Sequence, residues 1–487
     1  ILTILCALSA TSVCMGDNLN SVLANAQRGL PSAMNQLGVW YYTGNNVEKD
    51  YNKAYYWWRR GALEQNPKAI ANLGVCYQFG KGVERDSTEA VRLYVAAIAA
   101  GQDELLKQRL ANSSSNAFDA MLSGYCLEKG VGTEQDMGQA AECYASAASM
   151  GSTDGMTRAG KAFLRLSDPR RALTYLEDAA SRGDNEAAFI AGTILMGNMG
   201  VSPDKPRAVK MLRKAAQGGN AGAQMQLGLM SLKGDGVYAD AAEARRWLKL
   251  AASNGDGEGM WHYANALKDS GDFDGALFWY ANASQAGYLD DFKKMANSLR
   301  ADSPFGNYLR GMIAYKVNGD YALAEDYFKK VEKDKIDDGK VMRAIVQADS
   351  RNPRRNPSKA AKTLESLAPS NAHAATALAK MLTDANGIPR SNSKAISLLR
   401  TAVDADYGIA ADMLGNMYFT GTGTNIDRQG AAALLKKAFA ARCLSEDGRK
   451  RLLALHSEGV SVDTSTARAL ERYIPADNLL PLLKGTY

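Results

Sequence analysis

Along residues 32–42 the apolar side chains Ala33, Met34, Leu37, Trp40 and Tyr41 recur at intervals of three and four, which places them on one face of a helix. Gly44-Asn45 breaks the pattern. A second run, Ala54, Trp57, Trp58, Gly61 and Ala62, restores it until Asn66-Pro67 stops it. The pattern predicts two short amphipathic helices joined by a turn, preceded by a lone helix over residues 22–29.

This hairpin is copied along the chain, and residues 208–255 are its standard copy. Gly192 to Gly228, Ala208 to Ala244 and Gly219 to Gly255 each span 36 residues. Glycine inside a helix costs about 1 kcal/mol against alanine, so it marks a place where bulk does not fit. A first-helix glycine is followed 16 residues later by a second-helix alanine at Gly38/Ala54, Gly74/Ala90, Gly124/Ala140, Gly192/Ala208, Gly228/Ala244 and Gly415/Ala431. Small residues are therefore expected where the helices cross. Ala344/Ala360 and Ala379/Ala395 keep the same separation. It shrinks to 12 or 13 at Gly160/Ala172, Ala264/Ala276 and Gly311/Ala324, which predicts shorter turns.

Insertions over residues 101–116 and 288–304 stretch neighbouring anchors to 50 (Gly74 to Gly124) and 47 (Ala264 to Gly311). Residues 351–357, with two prolines and three arginines, read as a soft boundary between a repeat array over 17–350 and a second block over 351–474. The leucines Leu479, Leu480, Leu482 and Leu483 predict that residues 475–487 cap the last exposed hydrophobic face, as stacks require.

Charge adds little to this picture. The 58 Lys and Arg against 52 Asp and Glu leave +6 spread over 487 residues, without the concentrated basic face that a nucleic-acid groove needs. Residues 1–16 are apolar, small and uncharged, and read as a truncated signal peptide that predicts a secreted or periplasmic protein. A lipid anchor at Cys14 is the lesser alternative, because Val13 before it is branched. No run of about 18 apolar residues suggests a transmembrane helix. Cys76, Cys126 and Cys143 sit at core positions of the hairpins. Cys126 and Cys143 fall on the two helices of one hairpin, which leaves an oxidised pair open in an exported chain.

Leu73-Gly74, Tyr77, Gly80-Lys81-Gly82-Val83, Asp86, Ala90, Leu93-Tyr94 and Ala96-Ala97 together resemble the Sel1-like repeat. So do Leu227-Gly228, Gly234-Asp235-Gly236-Val237, Ala244, Trp247-Leu248, Ala251-Ala252 and Gly255. About eleven or twelve copies cover nearly all of the chain after the leader, and the three short-turn modules look like tetratricopeptide repeats. The resemblance implies an all-α fold, a right-handed α-solenoid of antiparallel helix pairs, acting as an adaptor for protein complexes. Cysteine-rich members carry two cysteines per repeat in fixed places. This chain departs from that, so their disulfide ladder does not carry over.

Chemistry is thin. Ser391-Asn392-Ser393-Lys394 has the S-x-x-K spacing of penicillin-recognising enzymes but sits where a second helix begins, which predicts that a serine caps that helix. His262, His373 and His456 lie in separate modules without ligand spacing, so no metal is expected. Gly421-Thr422-Gly423 is the module turn rather than a phosphate cradle. Asn112-Ser113-Ser114 and Asn282-Ala283-Ser284 are glycan acceptor tripeptides, and Asp290-Asp291 and Asp337-Asp338 read as turn acids that serve solubility. No catalytic constellation and no cofactor motif is found.

What remains is recognition by a surface. If first helices line an inner wall, the residues three before and one, four and five after each small anchor face the groove. This selects Asn35, Tyr42, Thr43, Gln78, Phe79, Phe189, Trp261, Asn265 and Lys268, an aromatic and amide lining suited to peptides or sugars. The expected function is an exported, non-enzymatic scaffold that binds proteins or peptides. The alternative is a glycan- or peptidoglycan-binding module with weak hydrolase activity.

Overall fold

The computed structural model describes residues 19–101, 116–460, 462–471 and 483. The leader with Cys14, the tripeptide at Asn112, and residues 475–487 apart from Leu483 lie outside the described residues.

Each predicted hairpin is present, commonly as two helices of 13 residues, as in Pro31–Thr43 with Tyr51–Leu63 and Ala221–Lys233 with Ala241–Ser253. The lone leading helix is Leu19–Gln27. No strand occurs among the described residues. The fold is an α-solenoid of helix pairs.

Local chemistry sets the helix ends. Gly44, Gly80, Gly130, Gly234 and Gly421 end first helices in the left-handed region, with φ between 64° and 84°. A residue with a Cβ is strained there, which is why glycine recurs. Six residues later Asp50, Asp86, Asp136, Asp240 and Asp427 begin the second helices, each carboxylate accepting from a first-turn N–H. In the short-turn modules the loop is deleted. Left-handed Ser167, Gly271 and Gly319 stand directly before the capping residues Asp168, Asp272 and Asp320.

The small anchors have a more specific purpose than meeting one another. A Cβ added to Gly38 would lie 2.3 Å from the Trp58 indole nitrogen. At Gly124 it would lie 2.6 Å from the Tyr144 ring, and at Gly228 it would lie 2.7 Å from Leu248. In eleven hairpins among the described residues the residue four after the second-helix alanine is large and buried: Trp58, Tyr94, Tyr144, Leu176, Leu212, Leu248, Tyr280, Phe328, Leu364, Leu399 and Leu435. That side chain lies one helical turn beyond the alanine, so it reaches across to the first helix. The small anchor is its seat.

The chain divides into two units at Gly218/Gly219. The core of the first runs through clusters from Val22 to Trp57 and from Tyr42 to Ile194. The second has clusters from Leu248 to Val346, Val341 to Met417 and Ala411 to Leu470. Leu483 is buried in the first of these three. The second insertion contains the helix Leu289–Ser298. Residues 351–357 form the turn between Asp337–Ala348 and Pro357–Leu367, held by buried Asn352, whose Nδ2 donates to the Val346 carbonyl at 2.9 Å. No helix among the described residues is long and apolar enough to cross a membrane.

Candidate functional site

In the second unit the first helices of four successive hairpins, Pro304–Ile313, Asp337–Ala348, Ala372–Asp384 and Gly408–Thr420, line a cavity of about 530 Å³. Its apolar wall comes from Met312, Met342, Ile345, Met381, Ile409 and Met413. Methionine has three soft torsions and a polarisable sulfur, so such a wall adapts to an apolar guest.

Two polar clusters also line the cavity. At one, the Asp274 carboxylate accepts from the Tyr308 hydroxyl at 3.2 Å and the Tyr407 hydroxyl at 3.4 Å. Burial pushes both phenols well above their ordinary range, so both remain donors. The His373 ring stacks on Tyr407 with centroids 6.2 Å apart. Its Nδ1 lies 3.6 Å from Asp274, beyond hydrogen-bond reach, and this buried nitrogen has no hydrogen-bond partner. Behind Asp274, the helix Phe273–Ala283 is capped by two carboxylates. Asp272 accepts from Gly275 N–H at 2.9 Å, and Asp338 accepts from Phe273 N–H at 2.7 Å and Asp274 N–H at 2.9 Å. Burial raises both carboxyls, Asp338 to about 6.

At the other, Asp349 accepts from the Arg351 guanidinium at 2.7 and 3.1 Å and from the Tyr315 hydroxyl at 2.7 Å. The Arg351 fork holds that carboxyl well below the usual carboxylate range. Burial, and then the neighbouring Arg351, push the Lys316 ammonium below its ordinary value. The arrangement can hold an apolar side chain against the methionines and pair polar groups at either polar cluster. Its volume falls in the range of small-ligand pockets, roughly 300–1,000 Å³.

The inner-wall rule recovers this cavity when it is extended to the modules where it was not applied. Met312, Tyr315 and Lys316 follow Gly311 by one, four and five, and Ile345, Ala348 and Asp349 stand likewise to Ala344. Thr376 precedes Ala379 by three, while Lys380 and Asp384 follow it by one and five. All three anchors are visible in the repeat spacing, but spacing does not show that the side chains beside them converge on one cavity.

The residues selected from the sequence lie elsewhere. In the first unit Asn35 accepts from the Asn72 amide at 2.9 Å, and Tyr42 is buried between Tyr51 and Trp58. The Thr43 hydroxyl bonds the Val39 carbonyl at 2.8 Å, Gln78 accepts from the Tyr94 hydroxyl at 3.1 Å, and Phe79 and Phe189 are half-buried. In the second unit Trp261 packs against Tyr280 and stacks on Tyr288. Asn265 donates to the Trp261 carbonyl at 2.9 Å and accepts from the Tyr280 hydroxyl at 2.7 Å, and Lys268 pairs with Asp269 at 3.1 Å. None of these three lines the cavity.

Other expectations are corrected. Asp338 is not a solubility acid in a turn: it is buried and caps a helix from another hairpin. Ser391 occupies the cap position of Asn392–Asp404 but makes no capping bond, and Lys394 is held by Glu365 at 2.5 Å. Asn282 is buried and donates to the Phe278 carbonyl at 3.0 Å, which removes it as a glycan acceptor in the folded chain. Cys76, Cys126, Cys143 and Cys443 are free thiols. No cluster of metal-ligating side chains occurs among the described residues.

The family model described as Sel1 repeat matches residues 31–66, 67–102, 120–152, 160–184, 185–220, 221–256, 372–407 and 408–442, more than half of the chain. The chain belongs to the Sel1-repeat family. Members of this family generally mediate protein–protein interaction and are generally non-enzymatic. Similar solved structures include the antigen c5321, a protective antigen of uropathogenic Escherichia coli strains displaying an SLR fold. Its identity is 20%, with 93% of this chain and 85% of that chain covered and a TM-score of 0.39. A Sel1 repeat protein from Oxalobacter formigenes is 26% identical over 48% of this chain and 87% of its own, with a TM-score of 0.29. The immunity protein Pa5087 from Pseudomonas aeruginosa is 19% identical over 45% and 82%, with a TM-score of 0.23. No curated protein matches. The stretch 257–371, which no Sel1 repeat matches, supplies much of the cavity wall.

Proposed function

We propose that this Sel1-repeat chain is an exported scaffold that binds a segment of a partner protein, and that the methionine-lined cavity of the second unit docks an apolar side chain of that segment. The carrying observation is the cavity itself, about 530 Å³ and lined largely by first-helix positions of four hairpins. The apolar residues 1–16 support export to the periplasm or the medium. The test immobilises the purified chain against its own envelope fraction, alongside Ile409→Trp, which fills the cavity from a half-buried position. A discrete protein retained by the wild type and lost from the equally helical variant supports the reading. Equal retention on both overturns it, and retention of purified glycan in place of protein favours a glycan-binding module.

A further inference from the structure

Most polar groups lining the methionine cavity already have partners. Asp349 is held by Arg351, Lys380 pairs with Asp384 at 3.1 Å, the Thr376 hydroxyl donates to the Ala372 carbonyl at 2.8 Å, and the Asn386 amide donates to the Ala348 carbonyl at 2.9 Å. Lys316 is exposed, its ammonium lies over the Tyr315 ring at 4.5 Å, and the charges of Arg351 and Asp349 act on it more strongly than that of Asp274. Asp274 and His373 remain.

Asp274 stands in a group of three carboxylates with Asp272 and Asp338, and among the described residues no lysine or arginine forms an ion pair with any of them. Arg245 acts on Asp272 from beyond ion-pair distance. The Tyr308 and Tyr407 hydroxyls give Asp274 two hydrogens, whereas an ionised carboxylate has about four lone-pair sites. The group is also fixed in place from far along the chain. The Tyr407 bond to Asp274 spans 133 residues, and the Asp406 carboxylate beside Tyr407 takes the Lys249 ammonium across 157. The side chains of His373 and Asp274 are 17% and 21% exposed, so a polar group that reaches them leaves water and needs a partner.

His373 decides which group that is. A neutral ring with its proton on Nε2 presents Nδ1 as an acceptor, and this buried nitrogen stands 3.6 Å from the carboxylate without a hydrogen-bond partner. A purely apolar guest would leave it unmatched, and a guest carboxylate would meet the field of three like charges. An ammonium carries hydrogens for both acceptors. The methylenes of a lysine stem suit Met312, Met342, Met381 and Met413, since such stems bury along apolar surface while the head keeps polar partners. We propose that the docked segment carries a lysine whose stem lies on these methionines beside the apolar side chain, and whose ammonium is shared by the Asp274 carboxylate and His373 Nδ1. This rests on the docking role given above and adds the chemistry of the partner, a segment both basic and apolar.

The test is fluorescence anisotropy on the full chain with a labelled, terminally blocked peptide of alternating Leu and Lys and its Leu and Gln counterpart. The Lys peptide should bind about tenfold more tightly than the Gln peptide, and Asp274→Asn should remove about that factor from the Lys peptide alone. His373→Phe keeps a ring against Tyr407 without a nitrogen acceptor and should also weaken the Lys peptide, which covers the case in which Asp274→Asn disturbs Tyr308 and Tyr407. Circular dichroism identifies the variants that fold. Equal binding of the two peptides, with both lost in Ile409→Trp, overturns the lysine inference and leaves the docking role standing. Equal binding of the Lys peptide to the wild type and to Ile409→Trp puts it elsewhere on the chain and overturns both. Absence of Lys-peptide binding, or unchanged affinity in the folded Asp274→Asn and His373→Phe variants, overturns the inference as well.

Discussion

The Asp338 carboxylate accepts the backbone N–H groups of Phe273 and Asp274, so a helix is capped by a residue 65 positions away in another hairpin. The geometry is that of an ordinary N-cap, but the acceptor is buried among Asp272, Asp274 and His373.

This arrangement sets a pH dependence. Burial raises the Asp338 carboxyl from 3.8 to about 6, so the folded state binds its proton more tightly than the unfolded state. The resulting stabilisation is present in full below about pH 4 and is lost as pH rises through 6. At about 1.4 kcal/mol per pKa unit its upper bound is about 3 kcal/mol. Asp338→Asn keeps an acceptor and removes the charge. In urea unfolding it should exceed the wild type in stability at pH 7.5, with the difference roughly halved by pH 5 and closed near pH 4. A difference that does not change with pH contradicts the assignment. Asp338→Ala strands two N–H groups and should lose about 1–2 kcal/mol at either pH.

The seats predict opposite outcomes for one substitution. Gly38→Ala and Gly124→Ala drive a methyl group into the buried Trp58 and Tyr144 rings and should lose about 1–3 kcal/mol. At Gly74 the nearest atoms lie 3.4 Å from the added Cβ. There Ala should be neutral or gain up to about 1 kcal/mol from helix propensity. Melting temperatures of the three variants decide it, and a uniform loss would mean that the seat is not the cause.

Asn265 supports the fold. Its Oδ1 is the acceptor for the buried Tyr280 hydroxyl, so Asn265→Ala should destabilise the chain by about 1–3 kcal/mol. The double variant Asn265→Ala with Tyr280→Phe should recover part of that loss. A double-mutant cycle with no coupling would separate the two residues.

The thiols should react in a set order. Burial pushes Cys76 up to about 12 and Cys126 up to about 11, and both are enclosed, while Cys143 is half-buried and raised less. Alkylation of the native chain at pH 8, followed by peptide mass mapping, should label Cys143 before either of these two. Early labelling of Cys76 would contradict the packing of its hairpin.

The hairpins were legible because their signals are local. A glycine such as Gly80 ends one helix, an aspartate such as Asp86 starts the next, and the apolar spacing between them has the helical period. The seat was half legible. The small anchors showed in the spacing, but Trp58 and Tyr94 looked like ordinary core until their reach across to Gly38 and Gly74 was visible. The cavity was hidden for another reason. The anchors Gly311, Ala344 and Ala379 stand in the spacing, but nothing local records that Met312, Met342 and Met381 converge beside them. The pairings of Asp338 with Phe273 and Lys249 with Asp406 left no trace in the pattern, since nothing in a repeat records which distant modules meet.

The bond between Lys249 and Asp406 changes the kind of folding transition open to the second unit. A linear stack obeys nearest-neighbour energetics, and its ends fray one repeat at a time. Here the helix Ala241–Ser253 is tied to the segment after Asn392–Asp404, so opening either one also breaks contacts of the other. Hydrogen exchange in those two helices should therefore report one shared opening free energy, and two unrelated values would return the unit to simple fraying. A chain written as a string of copies thus gains ties between distant modules, at Lys249 with Asp406, Tyr407 with Asp274 and Arg442 against Gly255, of the kind that make a globular domain cooperative.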